Sequence, residues 1–485
     1  MLHKTNSYGK IVCALGALIL VAGCATKLAV VSDPPYGHVT VKGAGERRAP
    51  SGLAPFETEV DFKKGQQTYV IDVAPSANVS ERYNSASVPL TSDAFNALPM
   101  INNDPKRRRL EVKLDEKTYV VLPYVEVVLD SRRSWKGVVT RSRAYKDVSE
   151  AGGSVPTRII DFGDNIGVQS MSLAPDGNRM VYSLATYNVS VEELKRLLTI
   201  AELRMVDIAG ANLHGFSTSG GGIEHITSEN FRDMFPSFTP DGEKLLFSSN
   251  RRRASSEDIL LISAHRRSGI SDIYVHRDAR ILRPTQAQDG TVAFAVDEPN
   301  PIDQKQRFTI WTIGGPNQFP TQIAVGNQPA ISPDGKRIAY IGADGNLWVV
   351  NTDGSAATQL SSGADQILDR YKKSLNAEEL ARYESFVREL GFPEKMPFSY
   401  PSWSKDGKLI LYTAMEGSDP NGRPNEDIWV MSYDHSNIKQ LTTNGSIDRY
   451  PLLSPDGRWC YFMSNRGGRW AIWRIPGPEQ RTAGL

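Results

Sequence analysis

One phrase recurs along the last two thirds of the chain, and it limits the fold more than any other feature. It reads LAPDGNRMVYSL at 173–184, TPDGEKLLFSSN at 239–250, AQDGTVAFAVDE at 287–298, SPDGKRIAYIG at 332–342, SKDGKLILYTA at 404–414 and SPDGRWCYFMSN at 454–465. The aspartates are Asp176, Asp241, Asp289, Asp334, Asp406 and Asp456, separated by 65, 48, 45, 72 and 50 residues. Self-similarity at about 40–50 residues is the signature of a repeat architecture, and the two longer gaps leave room for insertions. Proline fixes φ at the second place of a turn, aspartate bonds its own backbone, and glycine takes the place of positive φ. Those needs account for the whole quartet, so a Ser beside an Asp here is turn chemistry.

Each phrase is followed by a second recurring element: ELRMVDIAG, SDIYVHRD, FTIWTIGG, NLWVVNTDG, DIWVMSYD and AIWRIPG. A third, such as IEHITS, TQIAVG, TQLSSG and KQLTTNG, follows most of these. Strand, PDG turn, strand, loop, strand, turn and outer strand, taken six times, predict an all-β chain whose residues 157–485 form a six-bladed β-propeller. In the longest gap NAEELARYESFVREL is an amphipathic helix, with Asn376 and Glu379 as a capping box, inside a helical insertion at 367–398. After AIWRIPG only PEQRTAGL remains, which has no outer-strand pattern. TRIIDFG, Thr157–Gly163, has strand character and is expected to close the ring beside the last blade.

The repeats resemble those of the TolB-like propeller family (PD40-type repeats), whose pattern is S-P-D-G-x-x-apolar-x-aromatic-x-S. DRYPLLSPDGRWCYFMSNRGGRWAIWRI is the best-formed copy, and Gln288 stands where proline is usual before Asp289. The resemblance implies that the mouth of the central channel receives peptide segments of envelope proteins. The residues just before the innermost strands are then the candidate partner-binding set: Arg232, Asp233, Asn327, Gln328, Ser399, Tyr400, Arg449 and Tyr450. Tyr and Arg are enriched at binding hot spots. Each of these residues can also be read as an ordinary turn or channel residue.

Ahead of the repeats lie a small β module at 29–75 and a linker plus β-rich region at 76–156. SDPPYGHVTVKG, Ser32–Gly43, is a turn followed by period-2 alternation through Val39 and Val41, resumed at Val60, Tyr69, Ile71 and Val73. Ser32, Pro34, Gly37, Val39, Val41 and Gly43, with Gly52 and Pro55, resemble the signature of the PEGA domain, an envelope binding or spacer module. His38 and Ala54 depart from that signature. The N-terminal domain usual beside TolB-like propellers is α/β, whereas residues 25–156 read as β.

MLHKTNSYGK is a basic segment, followed by IVCALGALILVAG, an apolar run of 13 residues that suits a signal-peptide core and is short for a bilayer span. The VAGC that ends this region resembles a bacterial lipobox. It implies a cleaved signal peptide at 1–23 and a lipidated N-terminus at 24–28 starting with acylated Cys24. Ala25 after the cysteine resembles the outer-membrane address of Gram-negative lipoproteins, facing the periplasm. Loss of Lys4 and Lys10 takes the side-chain charge from +1 to −1. Of three cysteines only Cys460 then remains, so no internal disulfide can form; its place among aromatics in RWCYF is that of a buried strand residue.

The 56 Lys+Arg against 55 Asp+Glu leave no basic footprint for nucleic acid. The sequence carries no G-x-S-x-G elbow and no G-x-x-x-x-G-K-S/T loop, and none of its seven histidines pair at metal-ligand spacing. The reading is a non-enzymatic, cofactor-free protein-interaction scaffold, held on the membrane through Cys24. A binding protein for peptidoglycan or a small ligand is the alternative, and a hydrolase a third reading.

Overall fold

The computed structural model describes residues 26–43, 49–62, 68–76, 83–115, 117–129, 135–151, 153–163, 167–187, 205–228, 230–252, 256–264, 269–275, 279–299, 306–315, 317–390 and 396–479. The chain is all-β and divides into two compact units, at residues 1–118 and 119–485. Cys24 and the signal-peptide segment lie outside the described residues, and no described helix is long and apolar enough to cross a membrane.

The first unit is a pair of four-stranded sheets. In one, Thr26–Asp33 pairs antiparallel with Phe56–Val60 and parallel with Asp104–Lys113, which holds Met100–Ile101. In the other, His38–Lys42 lies between Ser51–Leu53 and Tyr69–Ala74, and the latter pairs with Ala86–Leu90. The alternating positions Val39, Val41, Ile71 and Val73 are fully buried with Leu28 and Val30, as a sheet with one covered face requires. Ser32 explains the turn that precedes them. Its hydroxyl donates to the Pro34 carbonyl at 2.8 Å and accepts the Gly37 N–H at 2.9 Å. A Cβ at Gly37 would come within 2.9 Å of that hydroxyl and 3.1 Å of the Ala74 carbonyl, so only glycine fits. Residues 76–156 divide differently from the sequence reading: strands 86–90, 100–101 and 104–113 complete the first unit's sheets, and everything from Tyr119 belongs with the repeats.

In the second unit six sheets follow the six repeats. Their innermost strands are Val168–Leu173, Met234–Phe238, Arg280–Gln286, the end of Asn317–Ile331, Phe398–Trp403 and Asp448–Leu453, the openings of blades one to six. Asn317–Ile331 serves two blades: its first part is the outer strand of blade three and its end the inner strand of blade four. Thr157–Asp161 pairs antiparallel with Ala471–Pro476 as the fourth strand of blade six, the expected closure of the ring. The insertion forms two helices, Ala364–Ser374 and Ala377–Leu390. The capping box is present: the Glu379 N–H donates to Asn376 Oδ1 at 2.9 Å and the Asn376 N–H to Glu379 Oε2 at 3.0 Å.

The cores lie between blades, and strand alternation serves both neighbours. In blade two Leu245 and Phe247 pack with Val181 and Leu213 of blade one, while Leu246 packs with Ile281 and Phe294 of blade three. In blade six Cys460 and Phe462 face Leu411 and Val430 of blade five, and Tyr461 and Met463 face Met180 and Tyr182 of blade one. Both faces of a middle blade are dry, so its strands are continuous apolar runs.

The PDG quartet is consumed by the turns. Thr239, Ser332, Ser404 and Ser454 donate to the aspartate two residues on at 2.5–2.6 Å. Each of those hydroxyls also accepts the N–H of the returning strand at 2.9–3.1 Å. The glycines have φ between 69° and 87°. The hydroxyl bonds hold the carboxyls of Asp241 and Asp456 below their ordinary range. At Asp334 and Asp406 burial pushes upward, yet the same bonds leave both carboxyls lowered.

A feature outside the repeats joins the last two blades. The hairpin Tyr119–Leu129 and Trp135–Tyr145 adds to the Met205–Ser217 strand of blade one, and the chain leaving it forms a strap, residues 142–151. The Tyr145 hydroxyl donates to Asp419 at 3.1 Å, and the Asn444 amide donates to the carbonyls of Asp147 and Ser149, both at 2.9 Å. At the strap's end Glu150 accepts from Arg466 Nη1 at 2.6 Å, while Nη2 donates to Asp448 at 2.7 Å. Arg466 is 1% exposed and Asp448 is fully buried, with Asp427 alongside.

Here three buried carboxylates share one guanidinium. Burial pushes Asp448 up to about 6, with Arg466 opposing and Glu150 adding to the rise. Burial, then Asp448 and Glu150, push Asp427 well above its usual value. Both folded values exceed the unfolded one, so folding favours the protonated forms. The contribution of Asp448 is present near pH 4 and is lost as pH rises through about 6, and Asp427 acts in the same direction. Urea unfolding is expected to show stability falling over that interval, by at most about 1.4 kcal/mol per pH unit for each linked proton. Asp427→Asn should flatten the slope; an unchanged slope would remove Asp427 from the linkage.

Candidate functional site

A cavity of about 350 Å³ runs along the ring axis, lined by the innermost strands of all six blades. Five of those strands carry an X-Pro pair: Phe235-Pro236, Arg283-Pro284, Gln328-Pro329, Tyr400-Pro401 and Tyr450-Pro451. In each, X has a φ of 54–56° and the pairing register slips by one or more residues across the pair. Proline cannot donate to a ladder, so in a paired strand it belongs at a bulge. Left-handed backbone at a non-glycine residue costs on the order of 1–3 kcal/mol. Each bulge turns its X residue onto the channel wall, and the same strained position recurs in five blades.

Four of these side chains meet. The Arg283 guanidinium carbon lies 4.3 Å from the Phe235 ring centre and 5.7 Å from that of Tyr400. The rings of Tyr400 and Tyr450 are 3.9 Å apart, centre to centre. The fifth, Gln328, accepts the Tyr400 N–H on Oε1 at 2.6 Å. Residues of blades two, three, five and six are thus linked around one point of the axis.

Of the eight candidates from sequence, Gln328, Tyr400 and Tyr450 line this cavity. Their neighbours Asn327, Ser399 and Arg449 do not: the lining of each strand begins at the bulged residue and runs on through the proline toward the PDG turn. Arg449 is 3% exposed and ion-paired with Glu426 in the adjoining blade. Arg232 and Asp233 are displaced by the repeat phase, which makes Asp233 the equivalent of Asp448. Asp233 is fully buried and accepts from Arg251 and the Ser249 hydroxyl, both at 2.6 Å. Arg232 donates to Glu257 at 2.9 Å. These charges hold strands together rather than face the axis.

Phe235 and Arg283 were missed. The signal was available: every X residue stands six positions before the aspartate of its PDG turn, as does Ser170 in blade one. Among the described residues no group of three metal-ligating side chains comes together. Asp419, in the oxygen-rich segment DPNGRPNED, spends its carboxylate on Tyr145, Arg143 and the N–H groups of Asn421 and Arg423. Cys460 is fully buried in the core between blades five and six.

No family model matches the chain. An uncharacterised protein of Agrobacterium fabrum is 36% identical over 89 residues, which are 18% of this chain and 28% of that protein. The chain therefore spans little more than a quarter of that relative's length. Among solved structures, TolB from Acinetobacter baumannii is 14% identical, with 80% of this chain and 79% of that one covered and a TM-score of 0.39. A putative TolB from Agrobacterium tumefaciens is 17% identical over 51% of this chain and 74% of that one, at a TM-score of 0.36. An oligogalacturonate lyase in complex with manganese is 12% identical over 74% and 99%, at 0.41. The six-bladed ring is read from the strand order described above.

Proposed function

We propose that the protein is a lipoprotein scaffold of the outer membrane, facing the periplasm, whose propeller channel holds a peptide segment of an envelope partner. The single observation that carries the reading is the ring of bulged positions, which puts two tyrosines, a phenylalanine and an arginine around one point of an axial cavity. Those residue types dominate binding hot spots. Cys24 would supply the anchor, and the N-terminal sandwich, with its PEGA-like turn at Ser32–Gly37, would act as spacer or docking module.

A photo-reactive phenylalanine analogue placed at position 400 in living cells tests the reading. It is expected to capture an envelope protein, with the yield falling several-fold when Tyr450→Ala is added. The same analogue at Phe319, which is 79% exposed, serves as a surface control. Capture at 319 but not at 400 would sink the channel reading. A second reading, binding of a cell-wall glycan, rests on the close Tyr400–Tyr450 pair as a platform for a sugar ring. It is checked by cosedimentation with peptidoglycan, which Tyr400→Ala should then abolish.

A further inference from the structure

We infer that the channel selects an acidic segment, with a carboxylate seated on the Arg283 guanidinium between Phe235 and Tyr400. This rests on the scaffold reading and names the chemistry of the segment that reading requires.

Among the described residues lining the cavity, the charged ones are Arg283 and Lys405, and no carboxylate lines it. Other arginines of the ring are neutralised: Arg232 and Arg280 by Glu257, Arg251 by Asp233, Arg449 by Glu426, Arg466 by Glu150 and Asp448. Arg283 breaks the pattern. Among the described residues its guanidinium meets two ring faces and no hydrogen-bond acceptor. Ring faces attract the cation but offer no acceptor to its five N–H donors, which lie in the guanidinium plane. A carboxylate suits that edge, since it accepts two parallel N–H bonds from the guanidinium fork. Half-burial of Arg283 limits the competing water.

The second cation sets the segment's length. Lys405 stands one residue before its PDG aspartate, whereas Arg283 stands six before its own. Five residues separate the two levels, about 16 Å at roughly 3.3 Å per residue. An extended segment with carboxylates four residues apart reaches about 13 Å and can serve both. Lys405, at the exposed rim, is the weaker contact.

The test uses the full chain and two capped peptides, Glu-Ser-Gly-Ser-Glu and its Gln-Ser-Gly-Ser-Gln counterpart, in titration calorimetry at about 20 mM salt. The acidic peptide is expected to bind at least about tenfold more tightly, with the advantage shrinking at about 150 mM salt. Arg283→Gln should reduce the difference to the about two- to threefold that Lys405 supplies, Arg283→Lys should retain more of it, and Lys405→Gln should cost about two- to threefold. Equal binding of the two peptides overturns the inference, and this comparison needs no variant. So does a tenfold difference that survives Arg283→Gln, or tighter binding of an acidic sugar chain of equal charge. If capture at position 400 succeeds while the acidic peptide shows no preference, the scaffold reading stands and this inference falls. If the peptide preference holds and no envelope protein is captured, the reverse is true.

Discussion

Arg466→Ala is expected to destabilise the propeller by about 3–5 kcal/mol, among the largest effects of any single substitution in this chain. The side chain is 1% exposed and holds Glu150 and Asp448 at 2.6 and 2.7 Å. Its loss leaves those two carboxylates and Asp427 buried together without a cation. Such a site relaxes by taking up protons, so the variant should be far less impaired near pH 5 than near pH 8. Denaturant unfolding at the two pH values measures this, and hydrogen exchange should show the strap, residues 142–151, opening first. Arg251→Ala in blade two gives the comparison. Arg251 occupies the equivalent place, but its side chain is 12% exposed and pairs with Asp233, so a smaller loss is expected. Equal losses at both sites would argue against carboxylate crowding as the cause.

The second large effect concerns ring closure. A Gly-Ser segment of equal length in place of Thr157–Asp161 keeps the chain continuous while removing the outermost strand of blade six. Ile159 and Ile160 leave the core between blades six and one, and Ala471–Pro476 becomes an open edge. The lost apolar burial and ladder together amount to about 3–5 kcal/mol, a fall in Tm of roughly 4–7 °C for a unit of this size. An unpaired edge also templates pairing with another chain. Scanning calorimetry and light scattering after gel filtration should show both the lower Tm and concentration-dependent dimers. A monomer with unchanged Tm would mean that the ring does not depend on this strand.

The fold was largely legible because a repeat states the same physical requirement six times. The PDG turn needs proline, aspartate and glycine at fixed offsets, and the closing strand followed from a missing fourth element in the last blade. The channel was only half legible. Gln328, Tyr400 and Tyr450 were picked out as residues just before the innermost strands, yet they lie within them, and the bulge at X-Pro moved the inward position and hid Phe235 and Arg283. Counting back six residues from each turn would have found them. The strap was not legible at all. Its residues meet partners about three hundred positions away through side-chain amides, carboxylates and backbone carbonyls, and such contacts leave no period in a sequence.

The order of these elements along the chain also has a mechanical side. Tension applied from the N-terminal direction reaches the strap before it reaches Thr157–Asp161. The strap is fastened to blades five and six by a buried ion pair and several hydrogen bonds, and the closing strand it shields is the one holding the ring shut. A load borne by residues 142–151 is thus passed sideways into the sheet stack, and the seam of the ring is spared the peeling force that would open it.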